Sequence, residues 1–210
     1  MTALGDMLED ALKPGEVVPL YKRGCQTNFR AHIPRTRELV PADLRTATHE
    51  CAIGRSPWPL FVHGPVGCGK SRYALCIFDF FVSLFFDFSD LLSEYIDLRR
   101  GELRHCDSRL LSWDSESRVR EVKWIEALGG RELFILDDIA RKQDTEAATA
   151  RDLMCRLLDK RELLPTILIS NLNPAEISEV YDDRVASRIC GGTIYKMERH
   201  DMRIEKEPRK

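Results

Sequence analysis

Short apolar runs alternate with amphipathic segments along most of this chain. The apolar runs are typical of buried strands and lie at residues 59–63, 83–88, 132–136, 166–170 and 193–197. Segments with apolar residues three or four positions apart predict helices at residues 41–50, 70–81, 89–100, 115–128, 145–161 and 173–178. This alternation predicts an α/β fold in which helices cover both faces of a parallel sheet.

Residue types at the segment ends sharpen some of these boundaries. Ser89 is a candidate N-cap for the helix at 89–100, and Gly101 is its predicted stop signal. Residues 102–114 show no clear apolar period, so we predict a loop or a broken helix there.

The run at 59–63 leads into a glycine-rich segment, residues 64–71, with the spacing G-x-x-x-x-G-K-[ST]. A loop of this kind between a strand and a helix binds phosphates with its backbone N–H groups. Lys70 would reach the β- and γ-phosphate oxygens, and the Ser71 hydroxyl would bind Mg²⁺. A chance glycine-rich turn is the alternative, and the preceding strand argues against it. The predicted phosphate loop consists of Gly64, Pro65, Val66, Gly67, Cys68, Gly69, Lys70 and Ser71.

A pair of acidic residues, Asp137 and Asp138, follows the apolar run at 132–136. Ligands of open α/β sheets bind at the carboxyl ends of the strands, so both side chains would lie beside the phosphate loop. Asp137 would hold Mg²⁺, and Asp138 would orient or deprotonate the water that attacks the γ-phosphate. An acid pair that only caps a following helix is the alternative.

Two further groups fit the same chemistry. Asn171 follows another apolar run, and its amide could donate to the γ-phosphate and hold the attacking water without adding charge. Arg184 and Arg188 share one helix face by their spacing, and one of them could reach the γ-phosphate of a neighbouring subunit. Surface ion pairs with Asp182 or Asp183 would explain the same arginines without a catalytic role.

The chain has 210 residues and a formal net charge of −2. Its length suits one domain, and we predict a short N-terminal extension at 1–27, a nucleotide-binding domain at 28–204 and a charged tail at 205–210. The small net charge provides no general attraction to nucleic acid. Residues 22–37 and 99–120 are locally basic, and a solvated surface is the alternative explanation for both.

The seven cysteines form no C-x-x-C pair, which indicates neither a zinc site nor a disulfide framework. Cys68 lies inside the phosphate loop, where a disulfide would be disruptive, so we expect a reducing, cytoplasmic environment. The N-terminus shows no signal-peptide pattern. The most apolar stretch, residues 76–88, is interrupted by Asp79 and Asp87 and is too short to span a bilayer, so we expect no membrane partner.

Taken in order, these motifs resemble those of the DnaC/IstB branch of the AAA+ ATPases, which contains helicase loaders and transposition helpers. The resemblance extends over about residues 28–204. The motifs that carry it are the phosphate loop at 64–71, Ile-Leu-Asp-Asp at 135–138, Ile-Leu-Ile-Ser-Asn-Leu at 167–172 and Asp-Asp-Arg-Val-Ala-Ser-Arg-Ile at 182–189.

The resemblance implies a P-loop NTPase of AAA+ type, which is a three-layer sandwich with a five-stranded parallel sheet in the order 5-1-4-3-2. It implies ATP and Mg²⁺ as cofactors and a homo-oligomer in the form of a ring or an open spiral. By match to the family's motifs, Arg188 is the arginine delivered to the neighbouring subunit, and Arg184 lies beside it at the interface. Lys70, Asp138 and Asn171 complete the implied catalytic set.

In this family an extra helix after the second strand contacts single-stranded DNA. The matching segment is residues 89–101, with Arg99 and Arg100 at its end, and such contacts would be directed to the DNA backbone and sensitive to salt.

The chain departs from the family's pattern at both ends. Only about 27 residues precede the matching region, without the zinc pattern found in some helicase loaders. At the other end we expect a C-terminal helical lid to be absent or minimal, which leaves Arg203 as a weak candidate for a second sensor arginine.

The resemblance therefore implies an ATP-dependent helicase loader of the DnaC type that assembles on single-stranded DNA, with a replicative helicase as a possible partner. An IstB-like helper that marks DNA for a transposase is the first alternative. The second is an adaptor in which nucleotide only switches assembly, without significant turnover. A phosphotransferase acting on a small molecule is disfavoured, because the sequence shows no evident acceptor pocket or lid.

Overall fold

The structure is a computed structural model, and it describes residues 40–78, 83–108, 110–111, 117–130, 133–139 and 146–199. Some sequence predictions lie outside these residues, namely the extension at 1–27, the tail at 205–210, the role of Arg203 and the minimal C-terminal lid.

Within the described residues, the strands form one parallel sheet in the order β2-β3-β4-β1-β5. This order is the predicted 5-1-4-3-2 read from the other edge, so the predicted fold class is confirmed. The strands are β1 (Leu60–His63), β2 (Ser83–Asp87), β3 (Leu133–Asp137), β4 (Thr166–Ser170) and β5 (Thr193–Lys196).

Helices cover both faces of this sheet. They are α1 (Ala42–Ala52), α2 (Lys70–Phe78), α3 (Phe88–Arg100), α4 (Glu121–Leu128), α5 (Ala147–Lys160), α6 (Pro174–Val180) and α7 (Asp183–Cys190). On one face α1 and α2 pack in one apolar cluster, and on the other face α3 to α7 contribute to a second cluster. No helix in the described part of the chain is both long enough and apolar enough to cross a membrane.

Strand β3 shows why the central strands appear in the sequence as continuous apolar runs instead of alternating apolar and polar residues. Leu133 and Ile135 belong to the cluster under α1 and α2, whereas Phe134 and Leu136 belong to the cluster on the other face. Successive side chains of a strand point to opposite faces. Because both faces of this sheet are covered, the four positions ahead of Asp137 are all apolar.

Two predicted helix starts are wrong. The N-cap of α3 is Asp87 and not Ser89, because the Asp87 carboxylate accepts hydrogen bonds from the backbone N–H of Ser89 (3.1 Å) and from its hydroxyl (2.6 Å). Gly101, with φ 71°, ends α3 as predicted. Helix α4 begins at Glu121, although the periodicity predicts a start at residue 115.

The late start of α4 has a tertiary cause. Residues 117–119 pair with the preceding loop: the N–H of Val119 donates to the carbonyl of Leu103 (2.9 Å), and the N–H of His105 donates to that of Ser117 (3.0 Å). Arg104 and Arg118 form an antiparallel bridge in the same place. Backbone groups committed to this pairing are not available to a helix.

One buried arginine fixes the start of β4. Arg161 is 2% exposed, and its guanidinium donates to the carbonyls of Leu128 (2.8 Å), Gly130 (3.0 Å) and Pro165 (2.8 Å). These bonds tie the end of α4 to the residue that precedes β4. The opposite end of β4 carries Asn171, so this anchor helps to set its position.

Candidate nucleotide-binding and hydrolysis site

The predicted phosphate loop connects the end of β1 to the start of α2. Gly67 has φ 81°, in the left-handed region that side chains disfavour. At Gly64 a Cβ atom would lie 2.4 Å from the carbonyl oxygen of Met197, so only glycine fits beneath the segment that follows β5. The glycines of this motif are therefore required by the backbone path that forms the loop.

Lys70 is folded back on the loop. Its Nζ donates to the carbonyl oxygens of Gly64 and Pro65, both at 2.7 Å, and lies 3.6 Å from the Cys68 Sγ. The side chain is 6% exposed, and this burial lowers the pKa of Lys70 below its ordinary value, while Asp137 and Asp138 oppose that shift. The ammonium group thus lies among loop carbonyls and within the electrostatic reach of both aspartates.

Asp137 and Asp138 lie at the carboxyl end of β3, on the same side of the sheet as this loop. Asp137 is the last residue of the strand and is 2% exposed. Asp138 follows with φ 60°, a left-handed conformation that is uncommon for a residue with a side chain and that Asp tolerates better than most. The next residue, Ile139, donates its N–H to the carbonyl of Ile169 on β4 (3.1 Å), which fixes the turn.

Asn171 meets Asp138 across the strand ends. It directly follows β4, which lies between β3 and β1 in the sheet. The Asn171 Nδ2 donates to the Asp138 Oδ1 at 3.2 Å. The carboxyl ends of β1, β3 and β4 therefore bring the phosphate loop, the aspartate pair and the amide to one edge of the sheet.

The residues of this edge fit a nucleoside triphosphate with Mg²⁺. Gly64 and Gly67 each occupy a backbone position that disfavours a side chain, and a loop of this kind ahead of a helix N-terminus can cradle phosphates with its backbone N–H groups. Ser71 in the first turn of α2 and Asp137 supply the hydroxyl and carboxylate oxygens that Mg²⁺ prefers. The catalytic and metal-binding roles of the individual residues remain predictions.

Arg184 and Arg188 lie on α7, and both pair with Asp159 near the end of α5. The Arg184 NH2 is 3.3 Å from the Asp159 Oδ2, and the Arg188 NH2 contacts the Asp159 Oδ1. The alternative partners expected from the sequence, Asp182 and Asp183, are not the ones that the structure shows. Asp182 instead caps α7 by accepting from the Val185 N–H (2.9 Å), and Asp183 accepts from Ser178.

The ion pairs of these arginines lie toward the amino ends of the strands. Asp159 is near the end of α5, which leads into the amino end of β4. The phosphate loop begins at the carboxyl end of β1, which runs parallel to β4. The ion pairs thus lie toward the amino ends of the strands, whereas the chain's own candidate site lies at their carboxyl ends.

Arg99 and Arg100 lie in the last turn of α3, beside a cleft between α3 and α5. Arg99 pairs with Glu121 (3.6 Å) and Asp152 (3.9 Å), and Arg100 is exposed. The cleft has a volume of about 780 Å³ and is lined by Tyr95, Arg99, Arg100, Glu146, Asp152 and Arg156, among others. The sequence analysis does not identify Arg156 as part of this cleft. Its position four residues after Asp152 on one helix, which allows an ion pair, is the signal that could have identified it.

The sheet order and the loop after β1 define the fold as that of the AAA+ class of P-loop NTPases. Solved structures agree: the chain matches AMPPCP-bound DnaA from Aquifex aeolicus with a TM-score of 0.55 and 18% identity, over 75% of this chain and 46% of DnaA. It matches DnaI with a TM-score of 0.53 and 16% identity, over 92% of each chain. It also matches the replication initiator DnaA bound to AMPPCP and single-stranded DNA, with a TM-score of 0.56 and 16% identity, over 77% of this chain and 48% of DnaA.

The chain thus spans less than half the length of each of these two DnaA structures. No protein-family model matches the sequence, and no curated protein matches it. At these identities the structural matches show the fold alone.

Proposed function

We propose that this protein is an ATP-dependent helper of DNA replication, of the kind represented by DnaC-type helicase loaders, that binds and hydrolyses ATP with Mg²⁺. The observation that carries the proposal is the contact between Asn171 and Asp138 beside the phosphate loop, at the carboxyl edge of the sheet. A structural phosphate site needs no such pair, whereas hydrolysis needs groups that hold a water molecule.

The loop and Lys70 would bind the phosphates, and Ser71 and Asp137 would hold Mg²⁺. When bound, the ion neutralises charge that develops on the phosphate oxygens. Asp138 would accept a hydrogen bond from the attacking water and take up its proton. Asn171, which donates to the Asp138 Oδ1, would keep the carboxylate turned toward that water.

The position of Arg188 supports hydrolysis in an assembly of subunits. The arginine lies toward the opposite edge of the sheet from its own phosphate loop. A second copy of the chain that docks this edge against the first copy's site would bring a guanidinium to the γ-phosphate. We therefore propose a ring or spiral homo-oligomer in which Arg188 acts in trans and Arg184 lies at the interface.

Replacing Asp138 by asparagine tests the hydrolytic role. We expect Asp138→Asn to lower ATP turnover by about 10²- to 10⁴-fold, the usual range for loss of a general base. The Kd for ATP should stay within about threefold of wild type, because the binding groups are untouched. Turnover and nucleotide binding would be measured separately.

Asp107→Asn is the matched control, since it removes the same charge from an exposed loop position. The control should hydrolyse ATP at the wild-type rate. Full turnover in Asp138→Asn would contradict the proposal.

We also propose that the end of α3 contacts single-stranded DNA. Arg99 and Arg100 lie together at an open cleft, and a DnaA of the same fold has been solved with single-stranded DNA. Charged contacts of this kind bind the backbone and release counterions, so the affinity should depend on salt and not on sequence.

Arg100→Ala should weaken binding of an oligothymidine and make the slope of log affinity against log salt shallower by about 0.7, as expected for one lost contact to single-stranded phosphate. The measurement is a salt titration of fluorescence anisotropy. Arg55→Ala, an exposed arginine after α1 on the other face of the sheet, should leave the slope unchanged. Equal slopes for Arg100→Ala and wild type would exclude this contact.

The match to DnaI over 92% of each chain supports the shared fold, and the preference for the loader type over a transposition helper rests on the motif resemblance. We propose that the protein is cytoplasmic, as its cysteine usage predicts.

Affinity capture from the native host with ATP and with ADP would identify the partner. A replicative helicase would support loading, a transposase would support the IstB-like alternative, and tight ATP binding without turnover would support the adaptor.

A further inference from the structure

Two arginines of α7 share one carboxylate of α5. The two Asp159 oxygens are divided between them: Oδ2 faces the Arg184 NH2 and Oδ1 faces the Arg188 NH2. The Arg188 NH1 also lies 3.5 Å from the carbonyl oxygen of Arg184, so its guanidinium lies along the helix. Arg188 is 31% exposed against 60% for Arg184, and it is therefore the more enclosed member of the trio.

In this arrangement the Arg188 guanidinium is paired with a carboxylate of its own chain. A guanidinium has a fixed fork of donors that binds either a carboxylate or a phosphate. To reach a γ-phosphate on another subunit, the fork must leave the Asp159 Oδ1. Arg184 can stay on Oδ2 while this happens, so Asp159 keeps a cationic partner.

We propose that Asp159 is a positioning residue that holds Arg188 in the isolated subunit and must be displaced by the neighbour's γ-phosphate during assembly. This inference rests on the proposed trans role of Arg188. The carboxylate competes with the phosphate for one guanidinium, so subunits assemble at a higher concentration than they would without it. The exchange ties assembly to the triphosphate state of the neighbour, because only a triphosphate carries the competing anion.

The expected size of the effect follows from the exposure of the pair. Partly exposed ion pairs are weak, and a pair of typical strength corresponds to about a two- to fivefold change in an equilibrium constant. Salt screens such a pair, with a Debye length of about 3 Å at 1 M. The competition should therefore be visible at low salt and disappear at high salt.

The test is ATP turnover per subunit as a function of subunit concentration. Asp159→Asn should reach half-maximal turnover at about two- to fivefold lower subunit concentration than wild type, with the same plateau. The difference should vanish in about 1 M salt. Asp159→Glu, which keeps the charge, should stay closer to wild type than Asp159→Asn.

Glu162→Gln is the matched control, because it removes the same charge from an exposed position three residues further along the chain. The inference is overturned if Asp159→Asn has the same midpoint as Glu162→Gln, or a higher one. Thermal melting of both variants excludes misfolding as the cause. If wild-type turnover per subunit does not rise with concentration, the proposed trans role itself fails, which is a distinguishable result.

Discussion

Lys70→Ala is expected to weaken ATP binding severely. The lysine is the buried cation of the loop, and its Nζ lies between the carbonyls of Gly64 and Pro65. Without it, these oxygens would face the phosphates with no positive charge between them. Loss of one partner from a buried charged pair costs about 2–5 kcal/mol or more, so the Kd should rise by at least about thirtyfold.

Isothermal titration with ATP and Mg²⁺ is the direct measurement. Lys160→Ala, which removes an exposed lysine at the end of α5, is the matched control and should bind as wild type does. A circular dichroism spectrum would show that the Lys70 variant is folded. A Kd within threefold of wild type would show that the loop does not bind the triphosphate.

Arg188→Ala is expected to lower turnover of the assembled protein by about 10³-fold, the lower end of the range for an arginine supplied to a phosphoryl-transfer site. The Kd for ATP of the isolated subunit should not change, because Arg188 lies away from its own phosphate loop. The loss should therefore appear only in the part of the turnover that depends on subunit concentration.

A mixing experiment separates a trans role from a structural one. Arg188→Ala subunits have an intact site and lack the arginine, whereas Asp138→Asn subunits keep the arginine and lack the water-holding carboxylate. Each variant alone should be nearly inactive, and their mixture should recover part of the wild-type turnover. No recovery, or full activity of Arg188→Ala alone, would exclude an arginine delivered between subunits.

The sequence predicts the sheet well because each central strand is covered on both faces. Burial on both sides favours an unbroken apolar run, which is a strong local signal at 60–62, 133–136 and 167–169. The phosphate loop is equally local, since its glycines are required by the backbone path at Gly64 and Gly67. Local rules were sufficient at these positions.

Contacts between distant segments account for two of the wrong predictions. The start of α4 is delayed because residues near Val119 pair with the loop near Leu103, which no helical period can reveal. Asp159 is missed as the partner of Arg184 and Arg188, because only the packing of α5 against α7 brings it there. The Asp87 cap is a smaller error, since Asp87 and Ser89 are both capping types two residues apart.

The central claim is that a triphosphate binds among the loop, Lys70 and the paired aspartates at one edge of the sheet. A crystal structure with AMPPCP and Mg²⁺ tests it most directly. We predict the triphosphate in the loop at 64–71, Lys70 Nζ moved from the carbonyls of Gly64 and Pro65 to the phosphate oxygens, and Asp137 and Asp138 facing the ion and the γ-phosphate. A nucleotide bound elsewhere, or a loop that keeps Lys70 on its own carbonyls with AMPPCP at saturation, would contradict the account.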